Sequence, residues 1–297
     1  MVEIRTAEHT AVINNIAMHR IYVEGCGEDS IDPVVLKGLL TIDVIPLGSS
    51  YHIESAAQAL YKDHPHYYFL IDRDHHSSAL VEASWSNFPD PAKSNLLIWR
   101  RREIENYFLI PEYVEQSKDL KVSKKKLRNE ILRLCMERLY LDVVNKVIID
   151  MRENMKENWI SIFSSIDGFD SKDKALQKLL SIEGFKGYEK KVNEAISQES
   201  LNEAFEKCLN EFTGGENTLV YEKGLWLSMI RGKPVFNSIA ETCFKVRDKK
   251  GKDVQGKVKM NGIVKGLLSD GNIKQPDDFI QLKKLINEKI LKKHSRA

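Results

Sequence analysis

The chain of 297 residues is long enough to bury a sizeable core and to form two domains. With 30% charged and 8% aromatic residues it has an ordinary soluble composition, no apolar run is long enough to span a bilayer, and no signal peptide opens the sequence. A formal net charge of +2 is too mild to indicate nucleic acid by itself; Cys26, Cys135, Cys208 and Cys243 lack the spacing of a zinc site or a disulfide framework, so a reducing cytoplasm is the simplest setting.

Val12, Ile13, Ile16 and Ala17 are spaced for a short helix within residues 1–20. Ile21-Tyr-Val-Glu24 then reads as a buried strand that ends abruptly in an acid, and Gly25 and Gly27 supply a tight turn. Asp32-Pro33 reads as an N-cap followed by a proline preset for the first turn of a helix over 33–40. A strand over Ile42–Leu47, a helix over 51–62 with Ile53, Ala56, Ala57 and Leu60 on one face, and a strand over Tyr67–Ile71 follow. This alternation predicts βαβ units and a parallel sheet, whose right-handed crossovers would bring the strand tips of Glu24 and Asp72 to one edge.

The third strand also ends in acids, Asp72-Arg73-Asp74. Residues two apart in an extended chain share a side, so Asp72 and Asp74 would face the same way. Glu24 alone would be an ordinary acid at a strand–loop junction. Three acids at one edge repel one another unless a cation neutralises them, and Mg²⁺ (or Mn²⁺) takes carboxylates, waters and phosphate oxygens. Asp29 and Asp32 read first as a turn former and a cap, and the adjacent His75 and His76, which could serve as ligands or proton shuttles, read first as solvent-facing.

After a polar stretch with Pro89 and Pro91, Asn95–Trp99 is a plausible fourth strand ending in Arg100-Arg101-Arg102-Glu103-Ile104-Glu105. A strand would present Glu103 and Glu105 together, a helix about 200° apart. Among the basic clusters, Arg100–Arg102 lie nearest the acids and could hold phosphates or simply close a strand. Tyr107, Phe108 and Leu109 read as packing residues.

Beyond Pro111 the pattern becomes helical, which puts a boundary near residue 115: an α/β domain over 1–115 and a mainly α-helical domain over 116–297. Leu127–Trp159 carries a stripe of Ile131, Leu134, Val144, Ile148, Met151 and Met155. Ser200-Leu-Asn-Glu203 resembles a capping box opening a helix with Leu201, Phe205, Cys208 and Phe212, ended by Gly214-Gly215, and a last helix runs from about Asp277 to Lys293. Lys233, between Gly232 and Pro234, could approach a phosphate closely or be a surface lysine in a turn. No G-x-x-x-x-G-K-[ST] is present, which excludes a P-loop ATPase.

Glu24-Gly25 at one strand end and Asp72-x-Asp74 at another, about fifty positions on, resemble the TOPRIM domain of topoisomerases, primases and OLD-type nucleases. Glu103-Ile-Glu105-Asn106-Tyr107 is similar to a segment of TOPRIM nucleases that accompany ABC-type ATPases in anti-phage defence. By length and layout the chain resembles the AriB family of nuclease subunits from PARIS-type systems. The resemblance implies a Rossmann-like TOPRIM fold and metal-dependent phosphodiester cleavage. Asp72 and Asp74 would hold the metal, Glu24 would act as ligand or general base, Glu103 or Glu105 would complete the shell, with Asp29 or Glu28 an outside candidate for it, and Lys233 would stabilise transition-state charge. It further implies an ABC-type ATPase partner, an active homodimer and host tRNA as substrate. DNA, as for OLD-type relatives, is the alternative substrate, and a catalytically silent nucleic-acid-binding or regulatory module the alternative of another class. The chain is too short for a topoisomerase and lacks the cysteine spacing of a primase.

Overall fold

The computed structural model describes residues 19–156, 172–180 and 183–291. Strands β1 (Arg20–Val23), β2 (Asp43–Pro46), β3 (Tyr67–Ile71) and β4 (Leu96–Ile98) form one sheet of order β2-β1-β3-β4, parallel at every pairing. The crossovers carry α1 (Ile31–Leu39), α2 (Ser50–Leu60) and α3 (Ser78–Asn87). An interior parallel strand is covered on both faces and so reads as an unbroken apolar run; in β3 Tyr68, Phe69, Leu70 and Ile71 are all buried. Trp85 of α3 seals one side, its indole N–H donating to the Ile98 carbonyl at 2.7 Å. The α/β class and the parallel sheet agree with the expectation from the sequence.

The chain runs from β1 outward to β2, then returns past β1 to β3. The winding direction therefore reverses between β1 and β3. In open α/β sheets the crevice at such a reversal, beyond the carboxyl ends of the strands, is where ligands bind. Glu24 and Asp72 are the residues immediately after those two strands.

Two compact units divide the chain. One comprises the described residues up to Glu137 and those from Leu227 onward, and the other is Arg138–Trp226. This division differs from the single boundary near residue 115, because the later chain returns to the strand-bearing unit. The Arg102 N–H donates to the Ser228 carbonyl at 2.8 Å, and Asn106 Nδ2 donates to the carbonyls of Leu227 (3.1 Å) and Ile230 (2.8 Å). The helices that follow α3 are α4 (Pro111–Val114), α5 (Lys124–Lys156), α6 (Lys172–Leu180), α7 (Glu183–Ala195), α8 (Gln198–Thr213), α9 (Trp226–Met229), α10 (Gly232–Cys243), α11 (Gly256–Ser269) and α12 (Asp277–Leu285). The division falls within α5. No described helix is long and apolar enough to cross a membrane.

Local expectations are corrected at four places. Ser30, with extended backbone angles, is the residue before α1, so Asp32 and Pro33 sit inside the first turn rather than opening it. Pro33 is tolerated there because the first turn has no use for its missing N–H. In α5 the buried row is Leu127, Ile131, Cys135, Leu139, Val143 and Val147, whereas Val144 and Ile148 are 43% and 41% exposed. Ser197, not Ser200, caps α8 by accepting from the Ser200 N–H, and Gly214 ends it at φ 67°. The last helix is α-helical over Asp277–Leu285 and continues as a π-helical turn over Ile286–Leu291. The helix anticipated within residues 1–20, Trp159 and the lysines beyond 291 lie outside the described residues.

Candidate active site

Glu24 is aimed by the turn that follows it. Gly25 has φ 132°, and a Cβ there would lie 2.7 Å from Ser30 Cβ, so only glycine fits. The backbones of Gly25 and Gly48 bond reciprocally at 2.8 and 2.9 Å, which ties the ends of β1 and β2 together. With the turn fixed, Glu24 Oε1 accepts the Asp72 backbone N–H at 3.0 Å across the switch point.

Beyond β3 the chain does not stay extended. Asp74 takes a left-handed φ of 42°, uncommon for a residue with a side chain, and its N–H donates to the Arg102 carbonyl at 3.0 Å. Asp72 and Asp74 thus share one cavity through this turn rather than through strand alternation. Asp72 Oδ1 accepts from the Ile104 N–H at 3.0 Å, which links β3 to the next acidic segment.

That segment is neither strand nor α-helix. Glu103 precedes a 3-10 turn over Ile104–Leu109, and its N–H donates to Asn106 Oδ1 at 3.1 Å. Glu103 is committed to structure: Oε1 accepts from Arg231 Nε at 3.1 Å and Oε2 from the Lys233 N–H at 2.7 Å. Glu105 is buried at 3% exposure. Gly232 makes the junction possible, since a Cβ there would lie 2.4 Å from Asn106 Oδ1. Glu103→Ala is therefore expected to lower stability by about 1–3 kcal/mol in urea unfolding, because it strips two donors of a charge-assisted partner.

These elements enclose a cavity of about 720 Å³ lined by Glu24, Asp32, Asp72, Asp74, Glu103 and Glu105, with Arg231, Lys233 and Lys257 as the cationic lining residues. All five acids named for the site in the sequence reach this cavity, as does Lys233. Burial pushes the Asp72 and Asp32 carboxyls well above the usual range, and neighbouring acids, Glu24 and Glu105 among them, add to it. Burial, then Glu103, raises Glu105 to about 7, partly opposed by Lys233. Glu24 is raised by burial first and by Asp74 next among the charges. Groups that cannot all ionise in isolation accept a cation readily.

Among the described residues no three His, Cys, Asp or Glu stand as a ready-made coordination shell. The donor set nevertheless fits a hard divalent ion: the half-buried Glu24, Asp72 and Asp74 and the buried Asp32 and Glu105 put mutually repelling oxygens around a space with room for water and a phosphate. Asp32 is the site residue that sequence reasoning passed over. Its signal was its place in the first turn after β1, on the carboxyl side of the sheet. Arg231 and Lys257 come from distant segments and carry no local signal.

The remaining candidates lie elsewhere. His76 Nε2 is 3.2 Å from Glu54, and neither His75 nor His76 lines the cavity. Asp29 pairs with Lys257 at 3.0 Å on the surface. The three arginines serve packing: Arg100 binds Glu82 (2.8 Å) and Asp278 (2.7 Å) over the Trp85 ring, Arg101 donates to the Leu227 carbonyl (3.3 Å) and Arg102 to that of Met229 (3.1 Å). No family model, no curated protein and no solved structure matches this chain.

Proposed function

We propose that the chain is a TOPRIM-type nuclease that uses a divalent cation, Mg²⁺ or Mn²⁺, to cleave phosphodiesters. One observation carries this reading: Glu24, Asp72, Asp74, Asp32 and Glu105 face one cavity at the point where the winding of a parallel sheet reverses. Asp72, Asp74 and Glu24 would hold the ion. When bound, such an ion polarises a phosphoryl oxygen and makes bound water more acidic. Glu105, with its carboxyl pushed up to about 7, is suited to hold or pass a proton near neutral pH. Lys233, with Arg231 and Lys257, supplies positive charge to a phosphate in a cavity whose acids repel anions. Glu103 and Arg231 position Lys233 by fixing the start of α10.

The resemblance in the sequence extends the proposal to an effector of anti-phage defence, restrained by an ABC-type ATPase, active as a homodimer and directed at host tRNA, with DNA as the alternative substrate. In the test, purified chain, alone and co-expressed with a neighbouring ATPase, is incubated with tRNA and with plasmid DNA in Mg²⁺, Mn²⁺ or chelator. Cation-dependent scission is expected, with new ends mapped by sequencing. Binding of nucleic acid without scission under every condition would favour the silent module.

A further inference from the structure

We infer that a basic groove beside α11 holds the phosphate backbone of the nucleic acid whose scissile bond enters the acidic cavity; this rests on the nuclease reading above. Its cations are Lys118, Lys121, Lys245, Arg247 and Lys265, against the single carboxylate of Asp119, around a space of about 670 Å³. All five cations are exposed. Lys245 and Arg247 have only a solvent-exposed partner, Asp253, at 3.6 and 3.5 Å, and Lys118 and Lys265 have no ion pair among the described residues. Five exposed cations against Asp119 in the lining and Asp253 beside it leave the concavity net positive, and such a concavity attracts a polyanion.

The groove is also built, not merely decorated. Its wall is a pair of segments bonded backbone to backbone, Lys245 N–H to the Asp119 carbonyl at 2.8 Å and Lys121 N–H to the Cys243 carbonyl at 2.9 Å. Gly262 lets that wall reach α11, since a Cβ there would lie 2.6 Å from Val246 Cγ1. The same helix serves both sites. Lys257 and Met260 line the acidic cavity, while Gly262, Lys265, Gly266 and Ser269 line the groove. From Lys257 to Lys265 the helix rises about 12 Å, or three to four steps of a nucleic-acid strand at about 3.4 Å each. A strand anchored in the groove is thus within a few nucleotides of the carboxylates, which by themselves repel it.

The test compares the parent with Lys118→Gln/Arg247→Gln/Lys265→Gln and, as a control, Lys283→Gln/Lys284→Gln. Binding of fluorescein-labelled single-stranded RNA and duplex DNA is followed by anisotropy across a salt series. The triple variant is expected to bind at least about tenfold more weakly, with a log–log salt slope shallower by about 2–3, while the control matches the parent. Hydrolysis of bis(p-nitrophenyl) phosphate, too small to reach the groove, is expected to stay at the parental rate. Parental affinity and slope in the triple variant would overturn the assignment, as would equal competition by polyglutamate, which would mark a surface for an acidic protein. A chain that hydrolyses no phosphodiester would remove the nuclease reading, yet the binding series would still decide the groove.

Discussion

Asp72→Asn is expected to lower cation-dependent cleavage by roughly 10³-fold while leaving the cation-free protein at least as stable as the parent. A bound cation stabilises transition-state charge by several kcal/mol, and about 1.4 kcal/mol is tenfold in rate. The two effects part because Asp72 has separable roles. Its Oδ1 accepts the Ile104 N–H, which an asparagine carbonyl also does, and its backbone N–H still donates to Glu24. Only the charge is lost, and that charge is half-buried and repelled by Asp32, Glu24, Glu105 and Asp74. A partly desolvated charge that faces only like charges opposes folding, so its removal does not weaken the apo fold. Single-turnover cleavage and urea unfolding in chelator measure the pair. Parental cleavage in a folded variant would refute the role of Asp72, and a large loss of stability would refute the account of its environment.

The sheet was legible because interior parallel strands are written as short apolar runs, and Glu24 and Asp72 were legible because an acid at the end of such a run has no packing reason to be there. Other features were written over distances that no local pattern spans. Asp32-Pro33 has the signature of a cap, yet Ser30 takes that position, and the carboxylate is released into the cavity. Along α5 the rows through Val143 and Val144 are equally apolar, and only the neighbours distinguish the buried one from the exposed one. Glu103 and Glu105 look equivalent in sequence. The return of residues 227–233 makes one an anchor for Arg231 and the Lys233 amide and leaves the other a proton-holding group. Nothing near position 103 foretells partners 128 and 130 residues away.

In chelator the folded chain is expected to lose stability as pH rises from 4.5 to about 7, and to regain it when Mg²⁺ or Mn²⁺ is added at the upper end. Glu105 sets the window: its carboxyl is raised from 4.5 to about 7 in the folded chain by burial, then by Glu103. Between these limits the unfolded chain has released the proton and the folded chain still holds it. The folded state therefore binds more protons, and stability falls with pH. At about 1.4 kcal/mol per pH unit, Glu105 alone accounts for a loss on the order of 3 kcal/mol, complete once pH exceeds its folded value. Asp32, Asp72 and Glu24 are shifted in the same direction and act with it. Carboxylates held low by partners, such as Glu115 beside Arg128 and Glu241 beside Lys259, contribute stability that is lost only as pH falls below the window. A divalent ion binds the deprotonated cluster and so stabilises most where the apo protein is weakest, by an amount that grows with its concentration. Urea midpoints across the window, in chelator and in Mn²⁺, measure both arms. Glu105→Gln should make the chelator curve shallower, the rest of the fall coming from Asp32, Asp72 and Glu24, whereas a parental curve that is level or rises with pH would show that these acids do not share a repelling site.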